Sequence, residues 1–295
     1  MSKQTTQSLV GITASLAVAG LVAFAGSAHS SSFAGLPLFA ICAGIAFLVQ
    51  WIAFVPAYVA QTEHYYDLTG SLTYLTLVAA ALAFGPAPDA RAWLLAALVA
   101  VWALRLGSFL FRRVRQDGAD GRFDAIKPDP LRFLMTWTMQ GLWVFLTLSC
   151  ALAALTGAAR VPLGPLSLSG VAVWIAGFAI EVLADQQKRA FRRDPANRGR
   201  FIDRGLWAWS RHPNYFGEIV LWCGIALIAL PALRGGQLLT LVSPPFVYVL
   251  LTRISGVPLL ESRASRRWGS DPAYRAYKQS TPVLVPRPPR RRGTS

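Results

Sequence analysis

Apolar and polar positions alternate along this chain in long blocks, not in the short periods of amphipathic helices or half-buried strands. Eight apolar runs approach or exceed the ~20 residues that a helix needs to cross the hydrocarbon of a bilayer. They cover residues 9–26, 36–60, 68–84, 91–111, 133–156, 166–184, 214–231 and 237–254. The pattern predicts an all-α protein, a polytopic transmembrane helix bundle of seven or eight spans, with seven if one early run is re-entrant.

Composition agrees with a membrane protein, because 54% of the 295 residues are hydrophobic and only 15% are charged. A soluble domain carries roughly 25% charged residues. The cysteines and histidines are few and dispersed, with no CxxC or paired spacing, so we expect neither a disulfide framework nor a metal site. We expect a monomer, and we expect the first run to be a retained span, not a cleaved signal peptide.

The Lys and Arg residues are concentrated in one set of loops. Residues 105–132 hold seven, 186–213 hold eight and 253–295 hold ten, whereas each of the other loops holds at most one. If all eight runs span, the basic loops lie on one side of the membrane, which the positive-inside rule assigns to the cytoplasm together with both termini. This placement accounts for the net charge of +15 without nucleic acid, which we do not expect as a partner. The Pro- and Arg-rich tail, 287–295, is predicted to be disordered and to meet anionic lipid headgroups.

The most informative stretch joins a basic loop to the seventh apolar run, Gly205 to Leu227. Its candidate ligand-binding side chains are those of Arg211, His212, Asn214, Tyr215 and Glu218. Pro213 is well placed to start a helix, on which Asn214 and Glu218 share one face. A carboxylate this close to a membrane span is costly without a partner, and a helix N-terminus suits a phosphate. The stretch predicts a ligand site, the alternative being a set of interfacial residues.

A second constellation lies at the end of the sixth run, in EVLADQQKRAFRR. Glu181, Asp185, Arg189 and Arg192 follow one another at spacings that keep them on one side of a helix. One interpretation is a helix end that is stabilised by ion pairs. The other is a pocket in which Asp185 accepts hydrogen bonds from a ligand and the arginines bind its phosphates, since a planar guanidinium matches phosphate oxygens.

The N-terminal half contains one strongly polar cluster, QTEHYYDLTGS at 61–71, which has no Lys or Arg. Its candidates for donating a proton to a substrate carbonyl or olefin are Glu63, Tyr65, Tyr66 and Asp67. The alternative is a capped interfacial turn with tyrosines at the membrane surface. In the fifth run Gln140 is expected to face the bundle interior, and an interhelical hydrogen bond would be sufficient reason for it.

Three motifs carry a family resemblance. RHPNYFGE at 211–218, ADQQKRAFR at 184–192 and the ESR…RWG…YRAYK ending from Glu261 resemble the steroid 5-alpha-reductase C-terminal family, especially its bacterial branch labelled DUF1295. DLTGS at 67–71 resembles the same branch. The resemblance implies N-terminal membrane spans over 1–60, a reductase-like catalytic domain over 61–286 and the basic tail, in a bacterial inner membrane.

The resemblance also implies an activity. The family takes hydride from NADPH and reduces a carbon–carbon double bond conjugated to a carbonyl in a lipophilic, steroid-like substrate. The residues implied to bind NADPH are Asp185, Arg189, Arg192, Arg211, His212, Asn214, Tyr215, Glu218 and Glu261. Among them, Asn214 and Glu218 match the family's Asn-x-x-Gly-Glu cofactor contacts, whereas Glu261 falls near a position where the steroid enzymes have His. The catalytic Glu and Tyr of the steroid enzymes correspond by position to the 63–67 segment.

Two other functions stay open. Isoprenylcysteine carboxyl methyltransferases and related membrane enzymes share the RHPxY junction and a Tyr-rich end, and they bind S-adenosylmethionine. The NYFGE continuation, the DQQKR run and the density of Arg favour a phosphate-rich cofactor over S-adenosylmethionine, which carries no phosphate. A non-enzymatic sterol- or lipid-binding membrane protein of the same fold would lack cofactor affinity. GxGxxG, Walker A and HExxH motifs are absent from the sequence.

Overall fold

The computed structural model describes residues 2–117, 121 and 123–289, with the side chains of all of these except 113–117. Its α-helices, in chain order, are α1 (Lys3–Gly26), α2 (Leu38–Val59), α3 (Tyr66–Phe84), α4 (Ala90–Asp117), α5 (Pro130–Thr156), α6 (Pro165–Arg193), α7 (Pro213–Ala229), α8 (Ser243–Val249), α9 (Val257–Trp268) and α10 (Pro272–Ser280). Between α1 and α2, two-residue strands β1 (Ser32–Phe33) and β2 (Leu36–Pro37) pair antiparallel. The predicted all-α bundle is confirmed.

In the described part of the chain, eight helical segments are long and apolar enough to cross a membrane. The first seven correspond to α1 through α7. The eighth, Gly235–Trp268, is irregular, and it passes through a 3₁₀-helix (Gly235–Val242), α8, a π-helical turn (Leu250–Ile254) and α9. Pro244 and Pro245 occupy the first turn of α8, where a proline removes no helical hydrogen bond.

The chain folds into two compact units, each made of two stretches. Unit one comprises Met1–Ser167 and Ile225–Ser243, and unit two comprises Leu168–Gly224 and Pro244–Ser295. The catalytic candidates at 63–67 belong to unit one, and all of the predicted cofactor residues belong to unit two. Of the predicted basic tail, residues 290–295 lie outside the described residues.

Helix α5 is the central helix of unit one. Every residue from Val144 to Thr156 is buried, as in a helix that is covered on all sides. Helices α1, α2 and α3 pack against it. Near its start, Phe133 and Trp137 join Phe123 in a buried aromatic cluster. By contrast α1 exposes large apolar side chains such as Phe24, as expected for a helix that faces lipid.

Hydroxyl groups on both sides join α5 to the irregular eighth span by hydrogen bonds. The Ser149 hydroxyl donates to Thr240 O at 2.8 Å, and the Ser243 hydroxyl donates to Thr147 O. Non-helical backbone at membrane depth is tolerated only where protein surrounds it and pairs its polar groups. These contacts therefore explain why the chain can leave α-helical geometry beside α5.

The guanidinium of Arg91, at the start of α4, forms hydrogen bonds with several segments of unit one. The residue is only 3% exposed. It donates to Val161 O at 3.2 Å, to Pro162 O at 2.9 Å and to the Ser167 hydroxyl at 2.9 Å. It also donates to Ile228 O. A buried charge is tolerated when such hydrogen bonds replace its hydration. Arg91 therefore holds these segments together inside unit one.

Glycines bring the backbones of α6 and α7 into contact in unit two. A β-carbon added to Gly217 would come within 2.6 Å of the Glu181 backbone nitrogen, and one added to Gly177 would collide with the Leu221 nitrogen. Position 217 therefore faces 181, and 221 faces 177, so the two helices run antiparallel. The close approach brings the last turns of α6 beside the first turn of α7.

Candidate cofactor site in unit two

The loop that leads into α7 is held by buried hydrogen bonds. The Trp207 indole donates from Nε1 to Ala184 O at 2.9 Å, and the Tyr277 hydroxyl donates to Trp207 O at 2.7 Å. The Ser210 hydroxyl donates to Leu284 O at 2.7 Å. Burial raises the pKa of Tyr277, so its hydroxyl stays a neutral donor. The residues just before α7 thus form a fixed platform.

Glu261 of α9 binds three basic side chains at this platform. Its Oε2 lies 2.6 Å from Arg211 Nη1, and its Oε1 lies 2.9 Å from His212 Nε2. Lys278 Nζ of α10 is 3.6 Å from Oε2. These contacts hold Arg211 and His212 in place from a distant part of the sequence. The direct contact of Glu261 with a cofactor stays a prediction.

The two motifs predicted to bind a cofactor meet at Asp185 and Asn214. Asn214 Nδ2 donates to Asp185 Oδ1 at 3.3 Å. Asp185 is only 8% exposed, and two further carboxylates, Glu181 on α6 and Glu218 on α7, are 2% and 7% exposed. Because α7 begins at Pro213, Asn214 and Glu218 share one helix face as predicted. Buried carboxylates at the end of a membrane span are typical of a functional site.

Three polar atoms of this cluster are buried with no hydrogen-bond partner in the described part of the chain. They are Arg211 Nε, His212 Nδ1 and Asn214 Oδ1. In each of these residues another atom is fixed by the protein, through Glu261 or through Asp185. Buried polar atoms in proteins are nearly always paired. The three atoms therefore indicate a polar ligand that offers an acceptor to Arg211 and hydrogens to His212 and Asn214.

The surroundings of His212 determine its protonation. Burial lowers its pKa, and the hydrogen bond that the ring donates to Glu261 only partly opposes this, so the ring is neutral at pH 7. Nε2 faces a carboxylate and therefore carries the hydrogen, which leaves Nδ1 as an acceptor. The amide of Asn214 is oriented in the same way, since its NH₂ group faces the Asp185 carboxylate. The site thus presents two buried acceptors.

These atoms fit a nicotinamide dinucleotide. Its carboxamide NH₂ and ribose hydroxyls are donors for His212 Nδ1 and Asn214 Oδ1, and its phosphates are acceptors for Arg211. On the last turns of α6, the half-buried Arg189 and the exposed Arg192 supply further guanidinium groups. The predicted cofactor residues therefore include both buried acceptors and guanidinium groups, which are the types of group that a nicotinamide dinucleotide needs.

The Tyr215 ring packs between the His212 ring and the start of α9. Its ring lies almost parallel to the His212 ring, at 12° with the centroids 5.7 Å apart. A β-carbon added to Gly256 would lie 2.8 Å from the Tyr215 ring and 2.6 Å from Leu251 O. Only glycine fits at position 256, so α9 begins directly against the tyrosine. This packing links the helix that carries Glu261 to the His212 ring.

In unit one, Glu63 forms an ion pair that the sequence did not indicate. The side chain is buried, and its Oε2 lies 2.5 Å from Lys127 Nζ. The polar segment 61–71 contains no Lys or Arg, and Lys127 lies 64 residues further along the chain. An ion-paired carboxylate accepts hydrogen bonds and donates none. This contact favours a tyrosine over Glu63 as a proton donor.

The other catalytic candidates differ in how firmly they are held. The Tyr66 hydroxyl donates to Thr136 O of α5 at 3.0 Å. Tyr65, just before α3, is 59% exposed. Asp67 lies in the first turn of α3, where the helix dipole favours a carboxylate. Tyr66 therefore has a fixed hydroxyl, whereas the Tyr65 side chain is accessible.

The chain is similar to one protein family and to several known enzymes. The model of the family described as "Protein of unknown function (DUF1295)" matches residues 53–281. The 3-oxo-5-alpha-steroid 4-dehydrogenase 1 of Rattus norvegicus is 31% identical over 123 residues, which are 41% of this chain and 42% of the rat protein. The protein of the same name from Mus musculus is 42% identical over 64 residues, 21% of this chain and 25% of that protein. The chain thus aligns with less than half of the length of these relatives, and no solved structure matches it.

Proposed function

We propose that this chain, which belongs to the DUF1295 family, is a membrane reductase that uses NADPH to reduce a carbon–carbon double bond conjugated to a carbonyl in a lipophilic, steroid-like substrate. NADPH, when bound, supplies the hydride. The observation that carries the proposal is the set of three buried, unpaired polar atoms on Arg211, His212 and Asn214. The names of the relatives support the reaction class, because they describe a dehydrogenase of 3-oxo-steroids.

Each residue of the site has a role in this proposal. Arg211 donates to a phosphate while Glu261 fixes the other end of its guanidinium. His212 and Asn214 accept hydrogen bonds and so orient the cofactor. Arg189 and Arg192 add positive charge for the remaining phosphates. In unit one, a tyrosine at position 65 or 66 is the candidate proton donor, since Glu63 is bound to Lys127.

We place the protein in a bacterial inner membrane with both termini in the cytoplasm. An even number of spans returns the chain to the side on which it begins, and eight segments qualify as spans within the described residues. The three strongly basic loops then share that side, as the positive-inside rule requires. The 186–213 loop would thereby meet the cytoplasmic pool of NADPH.

A binding assay on the detergent-purified chain, with NADPH and S-adenosylmethionine side by side, tests the proposal. NADPH should bind, and S-adenosylmethionine should not. Asn214→Ala should weaken NADPH binding about fivefold, because one net hydrogen bond is worth about 1 kcal/mol and 1.4 kcal/mol is tenfold. Asn197→Ala is a matched control, since among the described residues that buried amide in unit two bonds Phe191 O and Asp194 and no other group.

The opposite outcomes are equally informative. Binding of S-adenosylmethionine without NADPH would assign the chain to the membrane methyltransferases. Binding of neither ligand would leave a sterol- or lipid-binding protein without cofactor. Equal losses of affinity in Asn214→Ala and Asn197→Ala would show that general destabilisation, and not the unpaired Asn214 oxygen, affects binding.

A further inference from the structure

Two buried glutamines face helix α3 from different neighbours in unit one. Gln50 of α2, 0% exposed, donates from Nε2 to Thr73 Oγ1 at 2.7 Å. Gln140 of α5, 6% exposed, donates from Nε2 to Tyr66 O at 2.8 Å. Its amide covers Gly70, where a β-carbon would collide with it. The prediction that Gln140 faces the bundle interior is confirmed.

The partners determine which way each amide points. The Thr73 hydroxyl gives its own hydrogen to Thr69 O at 2.7 Å, so its oxygen only accepts from Gln50. Tyr66 O, the partner of Gln140, is a backbone carbonyl and also only accepts. Both glutamines must therefore present their NH₂ groups to α3. Neither amide can be flipped, and both side-chain oxygens point away from these partners.

Gln50 Oε1 and Gln140 Oε1 are consequently buried, and neither has a hydrogen-bond partner among the residues that the structure describes. A third atom in the same condition is Nε1 of Trp137, one turn before Gln140 on α5 and 1% exposed. At membrane depth an unpaired polar group is especially costly, because no bulk water is available to it. Two acceptors and one donor are thus unpaired in this part of the bundle.

Contacts between α2 and α5 bring the two glutamines to the same depth. A β-carbon on Gly141 would lie 2.9 Å from the Phe47 ring. One turn away, Trp51 Nε1 donates to Thr138 Oγ1 at 3.1 Å. These two contacts bracket the glutamines along both helices, and on α3 the Gln140 amide covers Gly70, about one turn before the Thr73 hydroxyl that Gln50 binds. The unpaired atoms therefore belong to one three-helix seam, defined by Gln50, Trp137 and Gln140.

We infer that the three-helix seam binds a hydroxyl group. A hydroxyl donates its hydrogen to a glutamine oxygen while its own oxygen accepts from the Trp137 indole. A ketone or ester carbonyl does not fit, because it brings no hydrogen to the two acceptors. The hydroxyl belongs either to an internal water, which typically makes about three hydrogen bonds, or to a lipophilic alcohol dissolved in the membrane. The inference does not depend on the proposed reductase reaction.

Two steroids that differ only in one hydroxyl distinguish the sources, namely 5α-androstan-17β-ol and 5α-androstane. Thermal unfolding of the full chain in detergent, without cofactor, measures their binding. If the seam takes an alcohol, the alcohol should raise Tm by about 2–4 °C more than the hydrocarbon does. At least one of Gln50→Leu and Gln140→Leu should lose that difference, because the single hydrogen of an alcohol goes to one glutamine oxygen. Gln61→Leu should keep it, because Gln61 is exposed and bonds only Tyr58 O.

If the hydroxyl is that of water, both steroids should act alike, and an experimental density map without steroid should show one ordered solvent peak within hydrogen-bond distance of both glutamine oxygens. The inference is overturned if there is neither a selective effect of the alcohol nor a solvent peak. It is also overturned if both Leu variants are more stable than the wild type. Should those variants fail to fold, the wild-type steroid comparison and the density map still decide. Neither the thermal unfolding nor the density map measures NADPH binding, so these experiments test the seam separately from the reductase proposal.

Discussion

Gly217 of α7 lies directly against the backbone of Glu181 of α6. A β-carbon at position 217 would come within 2.6 Å of the Glu181 nitrogen and of the Gly177 oxygen. Both obstacles are backbone atoms, so no change of rotamer would relieve the collision. This approach sets how near Asp185 comes to Asn214, whose side chains form the hydrogen bond at the centre of the candidate site.

Gly217→Ala should therefore destabilise the protein and weaken NADPH binding together. Overpacking of this kind typically costs about 1–3 kcal/mol. Gly44→Ala on α2 is the matched control, because a β-carbon there meets nothing within 4 Å and alanine favours a helix. Tm and the NADPH dissociation constant, measured in detergent, are the readouts. Similar Tm values for the two variants would show that α6 and α7 can separate without loss.

Acid should destabilise the protein through His212. Burial lowers its pKa, so the unfolded chain takes up a proton at higher pH than the folded chain does. The free energy of unfolding should hardly change above pH 7 and should fall as the pH drops below about 6.5, the ordinary value for His. NADPH affinity should fall only at lower pH, below the lowered pKa of His212 in the folded protein, since a protonated ring has no acceptor at Nδ1. His212→Gln should flatten both curves, and curves as steep as those of the wild type would place the titration elsewhere.

Arg192 is expected to select NADPH over NADH. Arg192→Ala should weaken NADPH binding by about 1–3 kcal/mol if the guanidinium pairs with the 2′-phosphate, and should weaken NADH binding less. Arg193→Ala is the control, because both residues are exposed but successive helical positions point in different directions. Equal losses for the two cofactors would assign Arg192 to a phosphate that they share. An unchanged affinity would return this run to the ion-pair interpretation.

The roles of Tyr65 and Tyr66, the two candidate proton donors, can be distinguished by removing one hydroxyl at a time. Tyr66→Phe should cost about 1 kcal/mol of stability, because its hydroxyl is donated to Thr136 O. If Tyr66 is also the proton donor, kcat should fall roughly 10²–10⁴-fold with little change in KM. Tyr65→Phe removes the same atom from an exposed side chain and should leave stability unchanged. A loss of kcat in Tyr65→Phe alone would assign the proton to Tyr65.

The topology is tested by reporter fusions at two points of the chain. A reporter after Arg200 should report the cytoplasm, because the 186–213 loop holds eight basic residues. A reporter after Pro88, between α3 and α4, should report the opposite side. A non-cytoplasmic signal at Arg200 would remove the candidate site from the compartment that contains NADPH.

Much of the fold is encoded locally and could be predicted for that reason. An apolar run of about 20 residues must form a helix in lipid, since only a helix pairs its own backbone there. The eighth span departs from this rule because its partner is distant. The Ser149 hydroxyl that bonds Thr240 O comes from 91 residues earlier in the chain, and no local pattern records it.

The candidate site also combines features that the sequence predicted with contacts that it could not predict. The shared face of Asn214 and Glu218 follows from a helix that starts at Pro213, so spacing alone predicted it. The ion pair between Arg211 and Glu261 joins residues 50 positions apart, and that between Glu63 and Lys127 joins residues 64 apart. Periodicity indicates which side chains turn inward. It does not indicate which distant residue they meet.

Arg91 imposes an order on assembly during synthesis. The carbonyl of Val161 leaves the ribosome 70 residues after Arg91, and that of Ile228 leaves 137 residues after it. At about 5–20 residues per second, the guanidinium waits roughly 7–27 s for its last acceptor. Until then water must take the place of that last acceptor, so the hydrogen bonds of the guanidinium are complete only after α7 emerges. Unit one is therefore completed only after the whole first stretch of unit two has been translated.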